Sequence, residues 1–139
     1  MSDLSRFHEA QKHSYRTALA EIRRGRKCSC WMWYIFPQLR GLGHSATAQY
    51  YGITGLQEAR DYLRDEVLGG RLVEISRALL DVDSNDPVEV MGVPDNLKLK
   101  SSMTLFEAAD PGEDTFGKVL DKFFHGQRDE RTLALLGRR

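Results

Sequence analysis

Three short stretches of this chain carry residue types that could do chemistry. The first, residues 28–38, reads CSCWMWYIFPQ and holds four of the thirteen aromatic side chains. Trp31 and Trp33 are two apart, a rotation of about 200° on a helix, so they cannot share a helical face. In an extended segment they would share one. The block is either a plug for a helical core or a wall, through one or both indoles, for a flat ligand. Gln38, just past Pro37, would then present its amide to that ligand. The second stretch is Gly41-Leu42-Gly43-His44-Ser45. Gly41 and Gly43 let backbone N–H groups converge, and Ser45 suits the start of a helix. That is the recipe for an anion site, a nest joined to a helix N-terminus, with His44 as an added donor. The same pattern also serves as a plain turn. The third is Lys98-Leu99-Lys100-Ser101-Ser102-Met103-Thr104. Ser101 and Thr104 fall on an apolar stripe. Either their hydroxyls bond back to the carbonyl four residues earlier, or Lys98, Ser101 and Ser102 line a polar cleft. Ser beside Lys also makes a nucleophile–base pair, but no triad order is readable around it.

Gln11 is a fourth candidate. The face that runs from Phe7 passes through Gln11, Ser14, Ala18 and Ile22. A polar group on that inward stripe costs free energy unless paired. Its amide is therefore expected to be buried and bonded to another segment.

Other chemistries fit less well. Cys28 and Cys30 with His13 or His44 would supply soft ligands, but the pair lacks zinc spacing and no second cysteine pair follows. No metal and no cofactor is expected. One intervening residue makes a disulfide between the two awkward. Reduced thiols and a cytoplasmic location are expected, with Cys30 as a small buried hydrophobe. Arg23, Arg24, Arg26 and Lys27 precede the aromatic block, the ingredients of a single-strand nucleic-acid platform. A cationic helix C-terminus accounts for them without a partner, so nucleic acid is not expected.

The elements that must position these residues read as helices. The chain has 139 residues with 20 basic and 20 acidic side chains and zero formal net charge, which speaks against polyanion partners. That length is one domain, residues 1–139, large enough for one core. A hydrophobic share of 41% with only 4 prolines is that of a folded chain. No apolar leader and no run of about 18 apolar residues appears, so neither a secretory signal nor a membrane span is expected. No phosphate loop and no HExxH motif is present. Residues 4–24 read as one long helix, with Gly25 as its left-handed stop. Ser45 caps residues 46–51. Thr54 and Gln57 have capping-box spacing before residues 55–64. Gly69 and Gly70 break or loosen the start of the next helix, whose stripe is Leu72, Ile75 and Leu79. Pro87 opens a short helix that stops at Gly92. Another runs from Pro94 to about Ala109, with Leu97 on its inward face. Thr115 caps a helix with the stripe Phe116, Val119, Leu120, Phe123 and Phe124. Asp129 caps the last, with Leu133 and Leu136 facing in. Sustained period-two alternation is absent. The expected fold is all-α, a single compact domain of six to eight helices with short loops.

WMWYIFPQ, the GLG–S turn, Glu58-Ala59 to Leu63 and KLKSSMTLF together resemble a mostly bacterial family of domains of unknown function, number 1810, over nearly the whole chain. Some of its members carry the label calpastatin, although that inhibitor is a long disordered chain and this composition is that of a folded domain. The resemblance implies a compact helical fold without an established activity. Family members usually carry His directly before the first Trp, where this chain has Cys30. The order of elements is also loosely similar to small helical enzymes that cleave ADP-ribosyl and related N-glycosidic compounds, a likeness of fold only.

The functional expectation is a small-molecule pocket for an anionic ligand, a nucleotide or sugar phosphate, with hydrolysis as an open possibility. Gln11, Gln38, Ser45, Lys98, Ser101 and Ser102 would fix the ligand, Trp31 or Trp33 would stack on it, and Gly41 and Gly43 would donate backbone N–H groups. The alternative is a non-catalytic interaction module that offers Trp31, Trp33, Tyr34 and Phe36 to a protein partner. Buried indoles beside a polar cavity would favour the pocket, and a flat exposed aromatic patch the module.

Overall fold

The computed structural model describes residues 2–137 of the chain. Its first helix is shorter than the spacing predicts. α1 (Ser5–Gln11) and α2 (Tyr15–Arg23) are separated by a turn at Lys12, His13 and Ser14. The break falls where the apolar stripe lapses, between Phe7 and Tyr15, so no buried face holds that turn in helix. The Ser14 amide donates to the Gln11 carbonyl at 3.1 Å, a tightened i to i−3 bond. Gly25 then takes a φ of +84° and stops α2 as expected.

The aromatic block forms one helical turn, α3 (Met32–Ile35), ended by Pro37. α4 (Ala46–Tyr51) starts at Ser45, whose hydroxyl accepts from the Ala48 amide at 3.1 Å. A lone parallel bridge, Leu39 to Ile53, ties the chain before α4 to the chain after it. α5 (Leu56–Arg64) has Gly55 at its N-cap, without a side-chain bond. Gln57 does not complete a capping box; Glu58 accepts from the Thr54 amide instead, at 3.0 Å. α6 (Glu66–Asp81) follows after Asp65, which caps it through Val67 and Leu68. It runs unbroken through Gly69 and Gly70. α7 (Pro87–Met91) is capped by Asp86 and ends at Gly92.

α8 (Asp95–Ala109) is the core helix. Leu99, the run 101–106 and Ala109 are all buried, so apolar and small polar residues face inward around most of its circumference. It packs against α5 and α7, against α9 (Thr115–Phe124) and against α10 (Glu130–Leu135). Leu97 departs from its expected inward place. It lies in the first turn of α8 before the helix enters the core, and is 59% exposed. The stripe of α9 is buried as expected, but Thr115 is not its cap. Asp114 holds the N-cap position, and the Thr115 hydroxyl donates to Glu113 at 2.7 Å. Asp129 does cap α10, through the Thr132 amide. Leu133 and Leu136 are only half-buried, because α10 lies on the surface of α8.

The fold is all-helical, with ten helices and no strand among the described residues. Short helices such as α3 and α7, and the split of the first, raise the number above the six to eight expected. No helix in the described residues is long and apolar enough to cross a membrane.

Candidate functional site

The site forms where α3, the turn before α4, the start of α8 and the start of α10 meet. A cavity of about 340 Å³ opens there, lined by Trp33, Gln38, Gly43, Lys98, Ser101 and Asp129 together with Leu42, Pro94, Leu97 and Arg131. That volume lies in the range of small-molecule sites.

Lys98 dominates its electrostatics. Its side chain is only 19% exposed and its ammonium lies 3.5 Å from Asp95 Oδ1. The same ammonium stands 3.5 Å from the centroid of the Trp33 ring. One face of Trp33 is therefore occupied by a cation. Asp95 also accepts Lys27 at 2.9 Å, and Lys27 in turn lies 4.9 Å over the Trp31 ring. Two lysines stacked on two tryptophans thus share one carboxylate. Across the cavity, Arg131 donates to the Leu42 carbonyl at 3.1 Å and closes the turn onto α10.

Thr104 bonds back to the carbonyl four residues earlier, Lys100 at 2.8 Å, and the single Ser101 hydroxyl proton is within reach of two acceptors, the Leu97 carbonyl at 3.2 Å and the Asp129 carboxylate. They also do more. The Ser101 hydroxyl lies 3.1 Å from Asp129 Oδ2, and Thr104 Oγ1 accepts from the Asp129 amide at 2.9 Å. The small polar residues of α8 are thus the seat of Asp129.

Five of the residues singled out from sequence meet here: Trp33, Gln38, Gly43, Lys98 and Ser101. The others are employed elsewhere. Gln11 is 2% exposed. Its amide nitrogen donates to the Tyr34 carbonyl at 2.8 Å and to the Tyr62 hydroxyl at 2.9 Å, which uses both its hydrogens. Its oxygen faces Arg71 at 3.4 Å. The amide is buried and paired across segments as expected, but it has no donor left for a ligand. Gln11→Leu should lower stability by about 1–3 kcal/mol, since the Tyr62 hydroxyl and Tyr34 carbonyl lose their partner. A shift of the urea midpoint measures it.

Trp31 is buried, and its indole N–H donates to Glu21 at 2.9 Å. Trp31, at the N-cap of α3, turns inward, and Trp33, inside the helix, borders the cavity, so the two indoles do not share a face. Ser102, a 100° step from Ser101, points into the core, where its hydroxyl finds no partner. The Ser45 hydroxyl is spent on its cap, and Gly41 packs toward Leu135. The glycine turn therefore meets the cavity through Gly43, not as a complete nest. Met32, Ile35 and Phe36 are core residues like Trp31, so the aromatic block presents no flat exposed patch. Cys30 is exposed, not buried, because the Glu21 carboxylate holds the neighbouring Cys28 and Ser29 amides and leaves the thiols outside.

Asp129 and Arg131 also line the site, and no sequence pattern marks either as a ligand-binding residue. Asp129 was legible only as a helix cap, a role that hides its second carboxylate oxygen. Arg131 had no motif around it.

A larger groove of about 710 Å³ runs between α2, α6 and the turn after α8. Its walls set Glu74, Asp81, Asp110 and Glu113 against Arg23 and Arg77, with no aromatic face. Arg77 already pairs with Glu113 at 3.9 Å. Size favours that groove, but the convergence of cation, aromatic face, amide and hydroxyl favours the smaller cavity.

The chain is similar to the conserved hypothetical protein Rv1873 from Mycobacterium tuberculosis, known from a crystal structure. The two share 47% sequence identity over 97% of this chain and 96% of that one, with a TM-score of 0.95. The profile of a family described as protein of unknown function (DUF1810) matches residues 1–136. No curated protein matches the chain.

Proposed function

The chain belongs to the DUF1810 family, whose function is unknown, and on that footing we propose that the cavity beside Trp33 and Lys98 binds an anionic small molecule, a nucleotide or sugar phosphate. One observation carries the reading: the side chain of Lys98 is largely buried at the cavity wall, yet the one carboxylate it pairs with among the described residues is shared with Lys27. Removing a charge from water costs free energy unless a counter-charge meets it. Asp95 meets two such charges, and an anion in the cavity would complete the balance. Arg131, which makes no ion pair among the described residues, supplies a second cation to the lining. Gln38 and Gly43 offer polar contacts, and the indole of Trp33 walls the apolar side. The burial of Trp31 and Phe36 supports a pocket over an exposed docking patch. The same cavity would serve a hydrolase if a water were held between Asp129 and Lys98, since such reactions need little more than a positioned water and a polarising group. Two free, exposed cysteines are in keeping with a reducing compartment such as the cytoplasm.

A thermal-shift series with inorganic phosphate, ribose 5-phosphate and adenosine monophosphate tests the reading. A ligand at 100 times its Kd adds about 2.7 kcal/mol of stability. Lys98→Ala is expected to weaken binding by roughly tenfold or more, the loss of a charge-assisted contact. Binding should also weaken as salt rises. If none of the three compounds moves the midpoint of the wild-type protein, the reading fails.

A further inference from the structure

Resting on that reading, we infer that Asp129 selects the ligand, and that the ligand is a phosphate ester bearing vicinal hydroxyls, a pentose phosphate or ribonucleotide. Asp129 borders the same cavity as Lys98 and Trp33. Its carboxylate is held on one side only. Oδ2 faces the Ser101 hydroxyl at 3.1 Å and accepts from the Thr132 amide at 3.1 Å and the Thr132 hydroxyl at 2.5 Å. The backbone amide of Asp129 is bonded to Thr104 Oγ1 at 2.9 Å. Two helices thus fix the group in place. No hydrogen bond within the described residues reaches Oδ1, and it is not sealed from solvent.

A cap for α10 needs one acceptor oxygen, which Ser, Thr or Asn supplies as well. The negative charge and the second oxygen are surplus to capping. An ionised carboxylate only accepts hydrogen bonds, so Oδ1 asks the cavity for a donor. The anionic end of a ligand would keep away from it and lie toward Lys98 and Arg131. An ammonium group would suit Asp129 but would be repelled by those two cations. A neutral hydroxyl is the donor that satisfies both ends. A carboxylate that accepts from adjacent sugar hydroxyls is an established recognition chemistry. The cavity of about 340 Å³ has room for a pentose with its phosphate.

Calorimetric titration of the full chain with ribose 5-phosphate and with 2-deoxyribose 5-phosphate tests this. The deoxy compound, which lacks the vicinal pair, is expected to bind at least about tenfold more weakly, the loss of a hydrogen bond to a charged acceptor. Asp129→Asn keeps an N-cap side chain of the same size and should bring the two affinities within about twofold. Equal affinities in the wild-type protein would overturn the inference and leave the anion site standing. Binding of neither compound would overturn both. A variant that still discriminates tenfold would assign the selection to another residue and overturn the role of Asp129. Should the variant fail to fold, the wild-type pair of titrations decides alone.

Discussion

Gly69→Ala is expected to lower the unfolding free energy by about 3 kcal/mol, while Gly70→Ala, one step along the same helix, raises it by about 0.5–1 kcal/mol. Both glycines lie within α6, where glycine costs about 1 kcal/mol relative to alanine. On helix propensity alone both changes would stabilise. The surroundings separate them. A Cβ at 69 would fall on the carbonyl oxygen of Leu63 and 2.8 Å from its carbonyl carbon, both backbone atoms of α5. Those atoms cannot swing aside, so α6 would have to lift away from α5. Overpacking of that kind costs about 1–3 kcal/mol and sometimes more. A Cβ at 70 meets nothing within 4 Å. Urea midpoints of the two variants measured side by side settle the matter. Midpoints that move in the same direction would contradict the close approach of α6 to α5.

Glu21→Gln is expected to cost about 2–4 kcal/mol at neutral pH. The buried Glu21 carboxylate gathers the loop between α2 and α3. Oε1 accepts from the Cys28 and Ser29 amides at 2.7 and 2.9 Å and from the Trp31 indole at 2.9 Å. Oε2 accepts from the Ser29 hydroxyl at 2.5 Å. The amide of a glutamine would point a donor at these donors. Burial alone would raise the Glu21 carboxyl, but the Ser29 hydroxyl, the Cys28 and Ser29 amides and the indole outweigh it and hold the group down to about 2, from 4.5. The folded pKa is depressed, so the unfolded chain binds the proton first. This contribution to stability is full above about pH 4.5 and is lost as pH falls toward 2. Other carboxylates titrate in the same range. The difference between wild type and Glu21→Gln, followed by urea midpoint from pH 7 down to pH 3, isolates this one: the gap should narrow as the medium becomes acidic. A constant gap would sink the account. The same loop carries Lys27 to Asp95, so loosening it should also disturb Lys98.

Much of the fold was legible because its signals are local. Ser45, Asp129, Pro87 and Gly25 act within one turn of themselves, through a cap, a fixed φ or a left-handed stop, and they do so in the structure. The stripe of α9 follows from helical spacing alone. Where signals compete, the local pattern does not decide. The apolar stripe on either side of Lys12–Ser14 suggested one helix, but a gap in the stripe leaves that turn nothing to pack on. Thr115 was a fair cap by type, but Asp114 and Glu113 stood closer to the task. Cys30 looked like a small hydrophobe, and its exposure depends on a carboxylate nine residues earlier in the chain.

By itself, the sequence determined that this is a helical domain without net charge, and that Gln11 on an inward stripe had to find a buried partner. Both follow from period and polarity, which any window of residues carries. Only the tertiary structure decided which polar residues meet. Trp33, Lys98, Ser101, Asp129 and Arg131 come from α3, α8, α10 and the N-cap of α10, far apart in sequence, and line one cavity because the chain folds these segments together. Gln11, Ser102 and Trp31 have the same chemical types and belong instead to the core. Which of them faces a cavity is set by a 100° step on a helix, a rotation that side-chain packing chooses and composition does not.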